Sequence, residues 1–126
     1  MKTSKFKLHN QNPRQLKRTS DCAFRAISFA LGITWEDALK ELTEVALKVK
    51  DPPNSKKVIE KYLKLKGFEK QKQPRQIENT KYTVNEFCDF KPQGTYLVTV
   101  AGHITVVKDG HIYDTWDCGY KSVGNY

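Results

Sequence analysis

The stretch TYLVTVAGHITVVKDGHIYDTW, residues 95–116, decides the fold class of this chain. It is rich in β-branched and aromatic residues, which favour strands. Ala101–Gly102 separates the first strand from the second, and Asp109–Gly110 is a strong signal for a two-residue hairpin turn before the third. The stretch therefore predicts an antiparallel β-meander with strands at 95–100, 103–108 and 111–116.

The residues upstream of the meander carry apolar side chains at helical spacing. This period predicts a first helix over about 20–31, a second that begins at Thr34 and a third that is capped by Asn54 or Ser55. A capping-box pattern begins a short fourth helix over 83–90. Helices first and a meander last predict an α+β fold, with the sheet packed on the first helix.

The length of 126 residues predicts a single domain over 1–126. Residues 1–18 are basic and interrupted by Pro13, which predicts an extended or mobile entry segment. Residues 69–82 are polar and show no period, which predicts a loop.

The composition argues against several classes of protein. There is no run of about 18 apolar residues, so we expect neither a membrane span nor a membrane partner. The basic N-terminal residues lack the apolar stretch of a secretory signal. Three scattered cysteines argue against a disulfide framework and predict a reducing, cytoplasmic setting. No Cys/His spacing suits a structural zinc ion.

The net charge of +8 raises the question of an acidic partner. The lysines are spread along the chain and form no continuous stripe, which is typical of solvated helix faces. We therefore expect only weak, salt-sensitive association with nucleic acid.

Cys22 lies in the first turn of the first predicted helix. Thr19, Ser20 and Asp21 precede it and are all good N-cap types. Backbone N–H groups in that turn have no partner inside the helix. A cysteine there is either a small buried side chain or a poised thiolate, depending on what else the fold brings to it. Asp21 either caps the helix or pairs with Arg25 one turn on.

The hairpin brings a histidine and a carboxylate together. If Asp109–Gly110 form the turn, Lys108 opposes His111, and strand alternation places His103 and Asp114 on one face as diagonal neighbours. A carboxylate beside an imidazole fixes its tautomer and orientation. A nearby imidazolium lowers the pKa of a thiol, so a cysteine, a histidine and an aspartate together are the parts of a thiol hydrolase.

Other residues of these types have competing interpretations. Asp117 is the rival to Asp114, although a regular strand puts it on the opposite face. Trp116 faces His103 and either shields the histidine–carboxylate pair from water or simply covers the sheet. His111 is predicted to be exposed and inert at the turn. Cys88 and Cys118 are predicted to be packing residues, unlike Cys22.

In this organisation the chain resembles the papain-like cysteine peptidase superfamily. The motifs DCAFRAI and GHITVVKDGHIYDTWD look like those of small uncharacterised bacterial and phage proteins of that fold. The resemblance covers about residues 11–118 and implies a papain-like arrangement. It assigns the nucleophile to Cys22, the general base to His103 and the orienting residue to Asp114.

The resemblance also implies a glutamine shortly before the nucleophile that helps to bind the oxyanion. Gln15 is the candidate, with Gln11 and Asn12 as alternatives and the backbone N–H of Cys22 as the second donor.

The sequence thus predicts a papain-like thiol hydrolase that acts on an amide, isopeptide or ester bond of a protein or peptide substrate. Such chemistry needs no metal or organic cofactor. The alternative is a catalytically inactive, basic binding module of the same fold, a phage-encoded protein that engages a host protein or nucleic acid.

Overall fold

The computed structural model describes residues 5–17 and 19–126. Within these ranges the chain forms four α-helices, four strands and one 3₁₀ turn. The helices are α1 (Cys22–Leu31), α2 (Trp35–Val49), α3 (Lys56–Leu65) and α4 (Val84–Phe90), and the 3₁₀ turn is Ile77–Asn79. The strands are β1 (Phe6–Leu8), β2 (Thr95–Val100), β3 (His103–Lys108) and β4 (His111–Asp114). The predicted α+β class is therefore confirmed.

The strands form one mixed sheet in the order β1-β4-β3-β2. β2, β3 and β4 are antiparallel, and Lys108 pairs with His111 as predicted. The turn between β3 and β4 has positive φ at both central residues, 49° at Asp109 and 75° at Gly110. This conformation matches the twist of a two-residue hairpin and fixes its register.

The third strand is shorter than the sequence predicts. β4 ends at Asp114 instead of Trp116. The Asp114 carboxylate accepts a hydrogen bond from the backbone N–H of Thr115 at 2.7 Å. The side chain thereby replaces a strand partner, and the chain leaves the sheet at that point.

Strand β1 was not predicted from the sequence. It pairs with β4 in parallel, with Phe6 opposite Ile112 and Leu8 opposite Asp114. Part of the segment predicted as an extended or mobile entry is thus a strand at the edge of the sheet. Residues 1–4 and 18 of that segment lie outside the described residues.

The sheet has a different layer on each face. Helices α1, α2 and α3 share a buried cluster with Leu97, Ile104 and Val106 of the sheet. The opposite face packs Val98 and Val107 against α4 and the segment that follows β4. Alternation along the strands separates these two sets of side chains, because odd and even positions of one strand point to opposite faces.

The helix starts follow the predicted capping chemistry. The hydroxyls of Thr34 and Ser55 accept hydrogen bonds from the N–H groups three residues on, at the starts of α2 and α3. Thr83 and Glu86 form both halves of a capping box at the start of α4. Each such cap contributes about 1 kcal/mol to helix stability.

Among residues 5–17 and 19–126, no helix combines the length and the apolar character that crossing a membrane requires.

Candidate active site

The predicted site residues lie at the ends of three elements that come together at one edge of the molecule. Cys22 is the first residue of α1, His103 is the first residue of β3, and Asp114 is the last residue of β4. Cys22 comes from the layer of α1, whereas His103 and Asp114 point to the opposite face of the sheet. They meet where the two layers join.

His103 and Asp114 form the hydrogen bond that the hairpin register predicts. The distance from His103 Nε2 to Asp114 Oδ2 is 2.6 Å, and both side chains are nearly buried. Burial opposes ionisation of Asp114, but the hydrogen bond and charge of His103, together with the bond from the backbone N–H of Thr115 and further hydrogen bonding, outweigh it, and the pKa of the carboxyl lies below its ordinary value.

Cys22 lies beside the same histidine, and both line one groove together with Ile104. Partial burial raises the pKa of the thiol. The imidazole of His103, the backbone N–H of Ile104 and the charge of Arg25 together outweigh this effect, so the pKa is lowered.

His103 is correspondingly easier to protonate. Burial lowers its pKa, whereas the hydrogen bonds and charges of Asp114 and Cys22 raise it, and the net result is a pKa of about 9. Because His103 Nε2 is hydrogen-bonded to Asp114, Nδ1 is the ring nitrogen that can face the Cys22 sulfur. These shifts favour a thiolate beside an imidazolium at neutral pH.

A buried arginine lies behind the carboxylate. Arg25 pairs with Asp21 one turn earlier on α1, and its Nη2 lies 3.7 Å from Asp114 Oδ1. The side chain of Asp21 does not cap α1. It accepts hydrogen bonds from Asn12 Nδ2 at 2.9 Å and Trp35 Nε1 at 3.0 Å. Of the two roles predicted for Asp21, pairing with Arg25 is the one present.

The segment after β1 supports the site from the other side. The backbone N–H of His9 donates to the carbonyl of Asp114 at 2.8 Å. A cavity of about 10 Å³, lined by His9, Cys22, Arg25 and Asp114 among others, lies between them.

The predicted oxyanion amides are engaged elsewhere. Gln15 has a left-handed backbone with φ of 56°, and its Nε2 donates to the carbonyls of Asn10 and Asn12 at 2.9 Å. Gln11 Nε2 donates to the carbonyl of Ile33 at 3.2 Å. The structure therefore brings Cys22, His103 and Asp114 together and does not direct the Gln15 amide to them.

Trp116 and Asp117, which follow β4, lie in different surroundings. The ring centroids of Trp116 and His103 lie 4.8 Å apart, so the indole covers the imidazole. Asp117 is exposed, and its Oδ1 accepts from the N–H of Gly119 at 2.9 Å. His103 is thus bonded to Asp114 and not to Asp117. His111 Nδ1 lies 3.1 Å from the carbonyl of Asp109 at the turn.

The other two cysteines differ electrostatically from Cys22. Both Cys88 and Cys118 are buried, whereas Cys22 is partly exposed. Burial raises the pKa of Cys88 to about 12 and that of Cys118, which also faces the charge of Asp114, to about 11. Both therefore keep their protons at neutral pH.

Within residues 5–17 and 19–126, one group of side chains has metal-ligand spacing. Candidate ligand atoms of His103, Asp114 and Cys118 lie within 4.8 Å of one another. The hydrogen bond between His103 and Asp114 already uses two of these atoms, and the raised pKa of Cys118 keeps its sulfur protonated. A cation needs the thiolate, so this group is better suited to hydrogen bonding than to metal binding.

An open groove leads away from the thiol. We call it the β2 groove; its volume is about 1460 Å³, and it lies between β2 and α3. Residues that define it are Cys22, His103, Leu97, Ile59, Leu63 and Phe68. The groove therefore offers a long, largely apolar surface that begins at Cys22.

No family model, curated protein or solved structure matches this chain.

Proposed function

We propose that this protein is a papain-like thiol hydrolase that cleaves an amide, isopeptide or ester bond. The observation that carries the proposal is that the nearly buried His103 is hydrogen-bonded to Asp114 and lies close enough to Cys22 to lower the pKa of its thiol. These contacts hold the imidazole ring in one orientation and keep on it the proton that the leaving group needs.

The reaction would proceed in two balanced steps. The Cys22 thiolate attacks the substrate carbonyl carbon, the bond to the leaving nitrogen or oxygen breaks, and His103 donates its proton to that atom. A thioester remains on Cys22. Water then loses a proton to His103 and attacks the thioester, which releases a carboxylic acid and restores the thiolate–imidazolium pair. The first-turn N–H of Cys22 is the proposed donor to the oxyanion.

Selective alkylation tests the nucleophile. With limiting iodoacetamide at pH 7 and peptide mass mapping, Cys22 should be labelled at least about tenfold faster than Cys88 or Cys118, because only its pKa is lowered. Equal labelling of the three cysteines in folded protein would contradict the proposal.

A matched pair of histidine variants tests the base. His103→Ala should lower the labelling rate of Cys22 at pH 6–7, whereas His111→Ala should leave it unchanged, since His111 lies at the far end of the hairpin. Wild-type rates in both variants would show that the Cys22–His103 contact has no chemical effect.

A further inference from the structure

The outer edge of β2 presents backbone groups to the β2 groove. β2 is an edge strand of the sheet. Thr99 uses its outward N–H and C=O to bond Asn125 O at 3.0 Å and Gly124 N at 2.7 Å. Backbone direction alternates along a strand, so the N–H and C=O groups of Leu97 and Thr95 also point outward. Both residues line the groove.

The chain itself shows what pairs with this edge. Residues 124–126 run alongside β2, and Tyr126 exchanges two backbone hydrogen bonds with Gln71 on its other side. Among the described residues, none provides a backbone partner for the outward groups of Thr95 and Leu97. Two such residues, about 6.7 Å apart along the strand, match the repeat of an extended polypeptide.

The side chains around this edge define which polypeptide would fit. The wall opposite β2 carries the half-buried apolar residues Ile59, Leu63 and Phe68. Among the lysines of the rim, Lys70 pairs with Glu60 at 2.6 Å. Lys64 and Lys91 add positive charge without a described carboxylate partner.

We propose that the β2 edge binds an extended acidic segment with large apolar side chains by strand addition, and that this segment belongs to the substrate of Cys22. Only the statement that this segment belongs to the substrate of Cys22 rests on the proposed function. Main-chain bonds to Thr95 and Leu97 provide affinity, while the apolar wall and the lysines select the sequence. A nucleic acid lacks the alternating amide groups that this edge requires.

Peptide binding tests the inference on the Cys22→Ser variant, which prevents turnover. The probe is a fluorescein-labelled octapeptide that alternates leucine and glutamate, compared with a leucine–lysine version and with a version N-methylated at its backbone. Fluorescence anisotropy should give a Kd at least about tenfold lower for the glutamate peptide than for either comparison peptide. Equal affinity for all three would overturn strand addition.

Protein variants locate the binding surface. Thr95→Pro removes one outward N–H without removing a bond to β3, and proline is tolerated at such edge positions. It should weaken binding at least about fivefold relative to Thr95→Val. Lys64→Glu should weaken binding similarly, whereas Lys48→Glu, on an exposed part of α2, should not. Unchanged binding in both Thr95→Pro and Lys64→Glu would exclude this edge.

The two proposals fail in different ways. Ordinary reactivity of Cys22 in wild-type protein with intact peptide binding would overturn the hydrolase and its link to the substrate, and would leave the peptide-binding edge standing. A reactive Cys22 without peptide preference would overturn the docking inference alone.

Discussion

At the scale of single residues, Arg25 connects two carboxylates that would otherwise be buried close together. It pairs with Asp21 and faces Asp114, and both its own side chain and these carboxylates are nearly buried. Leaving a buried charge without its partner costs about 3–5 kcal/mol. Arg25 is therefore expected to position Asp114 as well as to stabilise the fold.

Arg25→Leu should shift the alkylation of Cys22 to higher pH. The charge of Arg25 lowers the pKa of the thiol, so its loss raises that pKa, and the thiolate forms only at higher pH. We expect at least about a threefold slower reaction at pH 6.5 and a free energy of unfolding reduced by about 3 kcal/mol. Iodoacetamide rates from pH 5 to 9 and urea unfolding measure the two effects.

Arg25→Lys is the control, because it restores a charge without the planar fork that contacts both carboxylates. It should recover most of the pH profile. An unchanged profile in Arg25→Leu, with only the stability lowered, would assign a purely structural role to the arginine.

Residue identities predicted part of this network. The spacing of Asp21 and Arg25 indicates a helical ion pair, which is present. The contact from Arg25 to Asp114 joins residues far apart in sequence, and no local pattern encodes it. The direction of the Gln15 side-chain amide could not be predicted from the sequence either, because it depends on a left-handed backbone that a glutamine rarely adopts.

At the scale of elements, β1 holds the last residue of β4 in place. The backbone carbonyl of Lys5 accepts a hydrogen bond from the N–H of Ile112, and the backbone N–H of His9 donates to the carbonyl of Asp114, both at 2.8 Å. Since parallel pairing alternates, the N–H of Lys7 faces β4 and that of Leu8 faces away. β1 therefore fixes the backbone that carries the Asp114 side chain.

Lys7→Pro should disturb the site more than Leu8→Pro. The first removes a donor that faces β4, whereas the second removes one that faces away. We expect a loss of about 1–2 kcal/mol in unfolding free energy for Lys7→Pro, with slower labelling of Cys22. Thermal unfolding and iodoacetamide rates compare the variants. Equal effects would show that β1 is not coupled to Asp114.

The elements differ in how well the sequence predicts them. The β3–β4 hairpin was predictable because Asp109–Gly110 fixes its register locally. β1 was not, since three residues carry little periodicity and their partner lies more than a hundred positions away. The helix caps are local signals and followed the sequence closely.

At the scale of the whole molecule, the net charge of +8 supports the alternative of a binding module. Its lysines include several on the rim of the β2 groove, yet some of these pair with acidic residues, as Lys70 does with Glu60. Lys64 and Lys91 on the same rim have no described carboxylate partner, so part of the positive charge remains available to a ligand in the groove.

Binding to short single- and double-stranded oligonucleotides should be weak and should fall at least about tenfold between about 50 and 200 mM salt, because phosphate contacts dominate such association. Fluorescence anisotropy measures it, with Cys22→Ala as the control that should behave like wild type. Tight binding that persists at the higher salt would favour the basic binding module over the hydrolase.

The meeting of two layers at the sheet edge has a consequence for how the chain acquires its chemistry. In the proposed function, the nucleophile lies at the start of α1 in the helical layer, and the base lies at the start of β3 in the sheet. A partly folded chain in which α1 has not packed on β3 would keep Cys22 and His103 apart, so that neither shifts the pKa of the other. On that proposal the thiol gains its reactivity only when α1 packs on the sheet, and the newly made chain is protected from its own thiolate until then.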